Sequence, residues 1–405
     1  MIPFSPPRVD EKNIAEVVKV LQSGWITTGP RTKEFEHLIA DFCGINNVLC
    51  VNSASSGLEL MLRWFGVQDG DEVIVPAYTY AATANVVVHC GAKVVFVDCN
   101  SSDFNINIKE IEKHITENTK VIMPVDIGGF PCDYDAINQL VAREDIKHLF
   151  RPDTDIQQQL GRILVLSDAA HSIGATYKGR HTGSLTDASV FSFHAVKNLT
   201  TAEGGAICLN LPKPFDNVEI YKYLNFKSLH GQTKDAFSKM QKGNWEYDIV
   251  EAGYKYNMTD IMAAIGIVEL NRYQDDMLVK RKHIFDAYAQ FFSQYAWAEV
   301  PLYEEENRCT SYHVFLLRIK NINEQQRNAV IQEIFEQDVA VNVHFKPLPM
   351  MSFYKKLGYK IEDYPTAYQN YSQEISLPVY YSLSDRDLQQ VCSAVKKAVE
   401  KIVSY

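Results

Sequence analysis

Ser192-Phe193-His194-Ala195-Val196-Lys197-Asn198, trailed by Thr200-Thr201-Ala202-Glu203-Gly204-Gly205, decides how this chain reads. Ala188 to Phe193 is a short apolar run of strand type, and it leads almost directly into Lys197. A lysine at the end of a buried strand is unusual unless its amine is exposed or reactive. The Gly204-Gly205 pair lets the backbone come close to a ligand. For any single lysine, an exposed loop is the ordinary alternative.

Two earlier stretches change that balance. Ser167-Asp168-Ala169-Ala170-His171 follows the strand-like Ile163 to Leu166. A carboxylate at the C-terminal end of a strand lies where open α/β sheets bind ligands. Set against a pyridine nitrogen, it keeps that nitrogen protonated, and the ring becomes an electron sink. Read alone, Asp168 serves equally well as a turn cap, and His171 as a core histidine. Asn52-Ser53-Ala54-Ser55-Ser56-Gly57 lies between a strand and a helix, where small residues and a helix N-terminus suit a phosphate. Ser55 or Ser56 acting as a plain helix cap is the simpler reading of that stretch. In chain order, the three features supply what a pyridoxal 5'-phosphate site needs: a phosphate loop, an acid for the ring nitrogen, and a lysine for a Schiff base.

The surrounding pattern is α/β. Helical spacing of Phe35, Leu38, Ile39 and Phe42 follows Pro30, and Leu58, Met61, Leu62 and Phe65 mark a second helix closed by Gly66. Strands are expected at Asn47 to Val51, Glu72 to Pro76, Lys93 to Val97, Val121 to Pro124 and Ile163 to Leu166, with a helix from Thr79 to His89. Such alternation predicts a mainly parallel central sheet with helices on both faces. Past Asn257 the pattern shifts to helix (Thr259 to Tyr295), strand (Tyr312 to Ile319), helix (Glu324 to Gln337), strand (Ala340 to His344) and helix (Ser384 to Val403). Residues 1–275 are read as a large domain and 276–405 as a smaller α/β domain. The polar segment Ala142 to Leu160 lacks clear periodicity and is expected to be a surface insertion.

Composition narrows the function classes. With 40 basic and 50 acidic side chains in 405 residues, the net charge of −10 argues against nucleic acid as a partner. No signal peptide or bilayer-spanning stretch is visible, and the eight cysteines are scattered without metal-ligand spacing. A cytoplasmic protein with reduced thiols, no metal and no membrane association is expected.

The chain resembles the DegT-type family of pyridoxal-phosphate-dependent nucleotide-sugar aminotransferases, with the fold-type-I architecture. The resemblance spans nearly the whole length. It rests on Gly24-Trp25-Ile26-Thr27-Thr28-Gly29-Pro30, the 52–57 loop, Pro76-Ala77-Tyr78-Thr79-Tyr80-Ala81-Ala82-Thr83, Asp168 to Ala175, Ser192 to Lys197, and Tyr256-Asn257-Met258-Thr259-Asp260. It implies that Lys197 bonds the cofactor and shuttles protons, and that Asp168 holds the ring nitrogen. It further implies that Tyr80 stacks on the ring and that His171 lies beside it. Ala54, Ser55 and Ser192 would bind the phosphate, while Asn257 would reach the phosphate site of the partner subunit in a homodimer. Thr28 and His344 fall at positions near the sugar. The donor implied is glutamate and the acceptor a nucleotide-linked keto sugar, with a UDP-linked 4-keto-6-deoxy hexose favoured, for surface polysaccharide or glycan biosynthesis. Dehydratases of this fold carry histidine in place of the lysine, so Lys197 argues against that rival. A non-catalytic sensor would not need the set Lys197, Asp168 and Tyr80, and no G-x-G-x-x-G supports a nicotinamide enzyme.

Overall fold

The structure, a computed structural model, describes residues 1–233 and 246–403. Its centre is a seven-stranded sheet. The strands in chain order are β1 (Asn47–Val51), β2 (Glu72–Pro76), β3 (Lys93–Val97), β4 (Thr119–Ile122), β5 (Leu164–Asp168), β6 (Ala188–Ser192) and β7 (Gly205–Leu209). Across the sheet they lie in the order β1-β7-β6-β5-β4-β2-β3. Only β7 runs against the others, pairing antiparallel with both β1 and β6. The register brings Val51 and Ser192 opposite the same residue, Gly205, and Asp168 opposite Val190. The C-terminal ends of β1, β5 and β6 therefore meet along one edge, where an open α/β sheet offers its ligand crevice.

Both faces of the sheet are covered, and the side-chain alternation shows it. Leu49, Val51, Val190 and Ile207 join one apolar cluster, while Val48, Cys50, Phe191, Ala206 and Cys208 join another on the opposite face. The second face is closed by helix α2 (Pro30–Cys43) and the helix Asp260–Asn271. These two helices approach closely through Gly266, where an added Cβ would come 2.4 Å from the fully buried Phe35 ring. A third cluster gathers Ile2 with residues from Ile284 to Val403 around the strands Phe315–Ile319 and Glu374–Leu377. Its last helix, Asp385–Ile402, starts on a Ser384 capping box. Among the described residues, no helix is long and apolar enough to cross a membrane.

Several elements differ from the sequence reading. The segment 142–160 is not featureless: it folds into Glu144–Leu149 and Asp155–Leu160. Ile146 and Phe150 pack into the first cluster, and buried Gln157 donates to Phe65 O at 3.0 Å, so the segment is anchored to the core. Ala340 to His344 forms no strand. Among the described residues its ladder contacts are single bridges, Asn342 with Ser376 and, at the adjoining Val339, Ile2. The His344 N–H goes instead to the Glu374 side chain, and the His344 carbonyl accepts Tyr78 Oη. Helical structure from 259 to 295 is broken by a wide turn at Tyr273–Met277. The strand expected from Tyr312 begins only at Phe315, because Ser311 and Val314 donate to Gly129 and Gly128 instead.

Candidate active site

The crevice at the sheet edge opens into a cavity of ≈ 320 Å³. Each strand end contributes to it. After β1, helix α3 (Ala54–Trp64) begins on Ser53, whose hydroxyl caps Ser56 N at 3.1 Å. The cap is thus Ser53, not Ser55 or Ser56. Both Ser53 and Ser55 line the cavity with Ala54, and the first turn of a helix leaves backbone N–H groups without partners in the helix. Gly205 makes this approach possible: a Cβ there would stand 2.6 Å from Ala54 N. Ser192, at the end of β6, lines the same side.

Asp168 ends β5 and is 5% exposed. Its Oδ2 accepts Thr83 Oγ1 at 2.7 Å and its Oδ1 accepts Ala170 N at 3.2 Å. Burial raises its pKa, against the pull of those two donors and of Lys197. Lys197 keeps part of its surface open to the cavity and is otherwise enclosed. Burial pushes its amine down to about 8, while the charge of Asp168 pulls the other way. The amine is therefore neutral far more often than an exposed lysine and is suited to nucleophilic and base chemistry.

Three histidines face this lysine. His171 is 6% exposed, and its ring lies 4.3 Å from that of His313 and is stacked on Phe345. His313 Nδ1 lies 2.7 Å from Asn198 Oδ1. His344 lines the cavity with Phe4 stacked on its ring at 5.5 Å. Burial lowers all three pKa values, that of His344 to about 4, with the charge of Lys197 adding to the effect. Neutral imidazoles of this kind orient ligands by hydrogen bonds rather than by charge.

Tyr80 is 65% exposed and lines the cavity from the cap of α4 (Ala81–His89), so it is not a core aromatic; Tyr78 fills that role. Lys197, Asp168, His171, Ala54, Ser55, Ser192, Tyr80 and His344 are thus brought to one cavity. Thr28 and Asn257 are not. They meet each other instead, Asn257 Nδ2 donating to Thr28 Oγ1 at 2.6 Å, away from the cavity of their own chain. Sequence reading passed over Thr83 and His313. Thr83 stood inside a quoted motif, but nothing local linked it to Asp168.

Similarity to known proteins agrees with this geometry. Residues 7–150 and 154–396 match the DegT/DnrJ/EryC1/StrS aminotransferase family. The chain belongs to that family. It is 35% identical to the spore coat polysaccharide biosynthesis protein SpsC of Bacillus subtilis, covering 98% of this chain and 97% of that one. It is 31% identical to the UDP-4-amino-4-deoxy-L-arabinose–oxoglutarate aminotransferase of Shewanella sediminis, covering 98% of both. Among solved structures, Spr1654 of Streptococcus pneumoniae in its PMP form, named as a sugar aminotransferase, superposes with a TM-score of 0.96 at 45% identity over 100% of both chains. The PLP form of the same protein gives 0.94 at 43% identity.

The enzyme is a fold-type-I aminotransferase that uses pyridoxal 5'-phosphate. Its own residues fit that group. The cradle at Ala54 would be filled by any Cβ on Gly205, the buried His171 Nδ1 has no protein hydrogen-bond partner, and an acid and an amine flank the space between them.

Proposed function

We propose that this aminotransferase moves the amino group of glutamate to a nucleotide-linked keto sugar, in the cytoplasm, for surface polysaccharide or glycan biosynthesis. The observation that carries the reading is Lys197 in the turn that follows β6, with its amine held near neutrality and Asp168 in the same cavity. The named activities of the Shewanella relative and of Spr1654 support a sugar acceptor.

Pyridoxal phosphate, when bound, supplies a carbonyl that exchanges nitrogen and a ring that accepts electron density. Lys197 Nζ would hold the cofactor through that carbonyl, and once released it would move a proton from the α-carbon of glutamate to the cofactor carbon in the first half-reaction and from that carbon to the sugar carbon in the second. Asp168 would keep the proton on the ring nitrogen, with its carboxylate held in place by Thr83. Ser55, Ser192 and the first backbone amides of α3 would hold the phosphate, Tyr80 would stack on the ring and His171 would lie beside it. The two half-reactions share one site, so ping-pong kinetics follow.

The sugar end of the site rests on His344 and, from a second subunit, on Thr28, whose hydrogen-bond partner Asn257 would reach the cofactor phosphate there. Two copies of the chain would combine as a homodimer with shared sites. The unit that carries the cofactor is residues 1–275, and 276–405 the smaller domain. For the sugar, a UDP-linked 4-keto-6-deoxy hexose is preferred. A panel of nucleotide-linked 4-keto and 3-keto sugars, incubated with glutamate and read by mass spectrometry, tests this. Amination of a 4-keto member is expected. Turnover of 3-keto sugars alone would contradict it.

A further inference from the structure

Behind the cavity, and leading to His344, lies a pair of side chains that the reaction described above does not use. Glu374 and Ser376 sit two residues apart on the strand Glu374–Leu377, so both point to the same face, and both are fully buried. Ser376 Oγ donates to Glu374 Oε1 and lies 2.9 Å from His344 Nδ1. The other carboxyl oxygen, Oε2, accepts the backbone N–H of His344 at 3.0 Å. His344 is pinned further by Tyr78 Oη on its carbonyl at 2.6 Å and by Phe4 stacked on its ring. A ring held at so many points, with Nδ1 committed to Ser376, has only Nε2 to offer the cavity.

We propose that Glu374 and Ser376 are positioning residues of this enzyme: through the Ser376 hydroxyl, the Glu374 carboxyl sets which ring nitrogen of His344 carries the proton, and so what Nε2 offers the sugar. A hydroxyl donates once. When Glu374 is ionised, Ser376 donates to it and accepts from His344 Nδ1–H. Nε2 then carries a lone pair, an acceptor for a sugar hydroxyl or for the amine being delivered. When Glu374 is protonated, Oε2 still has to accept the His344 backbone N–H, so the acid proton sits on Oε1 and points at Ser376. Ser376 must then donate to Nδ1, and Nε2 carries the proton.

The charges around the relay are accounted for. Arg327 donates to the carbonyls of Tyr371 and Glu374, and Arg318 engages Asn370 and Glu299, so both guanidiniums act on the Glu374 carboxyl only through space. Tyr78 faces it from the sheet side. Lys197, His171 and His313 face the ring of His344, and both histidines are held neutral. Burial raises Glu374 to about 8, against the pull of Ser376, the two arginines and the His344 N–H, so the switch lies within a usable pH range.

Glu374→Gln tests the relay without changing its shape. The His344 N–H needs the amide oxygen, which leaves the amide nitrogen facing Ser376 and fixes the relay in its reversed direction. The direct readout is the long-range 1H–15N spectrum of ring-labelled histidine in the cofactor-loaded enzyme, with the His344 signal assigned by its loss in His344→Asn. The wild type should show the Nε2–H form well below about 8 and the Nδ1–H form well above it. Glu374→Gln should stay in the Nε2–H form at both. A shared tautomer in the two proteins at both pH values would overturn the proposal.

The assignment of the sugar to Nε2 rests on the functional reading above, and half-reaction kinetics test it separately. Above the switch, Glu374→Gln and Ser376→Ala should each raise the KM for the keto sugar about 3- to 10-fold, the worth of one hydrogen bond. The glutamate half-reaction should stay unchanged. A tautomer that flips while the sugar KM holds would overturn the role in sugar binding, as would equal loss in both half-reactions. If the wild type aminates no keto sugar, the functional reading fails on its own, and the spectra still decide the relay.

Discussion

Thr83 Oγ1 donates to Asp168 Oδ2 at 2.7 Å, inside the core and at the floor of the cavity. Its partner Thr79 hydroxyl lies 2.9 Å away, so the Thr83 proton is free to point at the carboxylate. A hydrogen bond to a charged group is worth about 1.5–3 kcal/mol. Thr83→Val keeps the shape and removes the donor, leaving the Ala170 N–H as the remaining hydrogen bond to Asp168. We expect a kcat lower by roughly one order of magnitude and a weaker absorbance of the ring-protonated cofactor, with Thr83→Ser restoring both. Unchanged spectra and turnover in Thr83→Val would show that Thr83 does not hold Asp168.

The close approach of Gly205 to helix α3 makes a second prediction. A Cβ there would stand 2.6 Å from Ala54 N and 2.7 Å from the Ser53 carbonyl carbon, and backbone atoms cannot yield as a side chain can. Gly205→Ala should cost about 1–3 kcal/mol in stability, as overpacking does. It should also weaken cofactor binding, because the strain falls on the amides proposed to hold the phosphate. Thermal denaturation and fluorescence titration with pyridoxal phosphate check the two effects. Wild-type affinity in a folded Gly205→Ala protein would remove Ala54 from the phosphate site.

Lys197 links pH to the stability of the cofactor-free protein. Its ordinary pKa is 10.5 and the fold lowers it to about 8, chiefly through burial. Between those values the unfolded chain holds a proton that the native chain does not, so this group makes stability rise with pH across the window. Below about 8 the full penalty remains, on the order of 3 kcal/mol at most. Apo Lys197→Met should therefore be more stable than apo wild type near neutrality, with the difference shrinking as pH climbs toward 10.5. Melting curves across that range decide it. A difference that does not change with pH would mean the amine titrates normally.

Much of the fold was legible because its strands are continuous apolar runs bounded by turn residues. Asn47–Val51, Glu72–Pro76 and Lys93–Val97 have the bounds the sequence suggested. The direction of β7 was not legible: Gly205–Leu209 is apolar, but its antiparallel course is fixed only by its neighbours β1 and β6. Helix α1 (Glu11–Ser23) went unread although Asp10 and Asn13 form a capping box and Ile14, Val18 and Leu21 recur at helical spacing, on a stripe the fold leaves exposed. In the site, Asp168 stood out because it ends a strand, and Lys197 because it follows one so closely, although the strand stops at Ser192 and Lys197 lies in the turn beyond it. His313 and the pair Glu374 and Ser376 did not, because their place beside the cavity depends on long-range packing of the C-terminal strands.

Thr28 and Asn257 meet each other rather than the cavity of their own chain, which gives a test of the shared site. Lys197→Ala and Asn257→Ala proteins, each nearly inactive, should regain activity when their subunits exchange. Random exchange of equal amounts places both intact residues in about a quarter of all sites. Mass spectrometry of differently tagged chains confirms the exchange. No recovery in verified mixed dimers would assign Asn257 to its own subunit.

The central claim is that Lys197 is the residue that bonds the cofactor. The most direct measurement is borohydride reduction of the cofactor-loaded enzyme, followed by proteolysis and mass spectrometry of the modified peptide. The account predicts loss of the yellow absorbance and a pyridoxyl group on Lys197, with none retained covalently by Lys197→Ala. A pyridoxyl group on any other lysine, or no covalent product from a yellow enzyme, would contradict it.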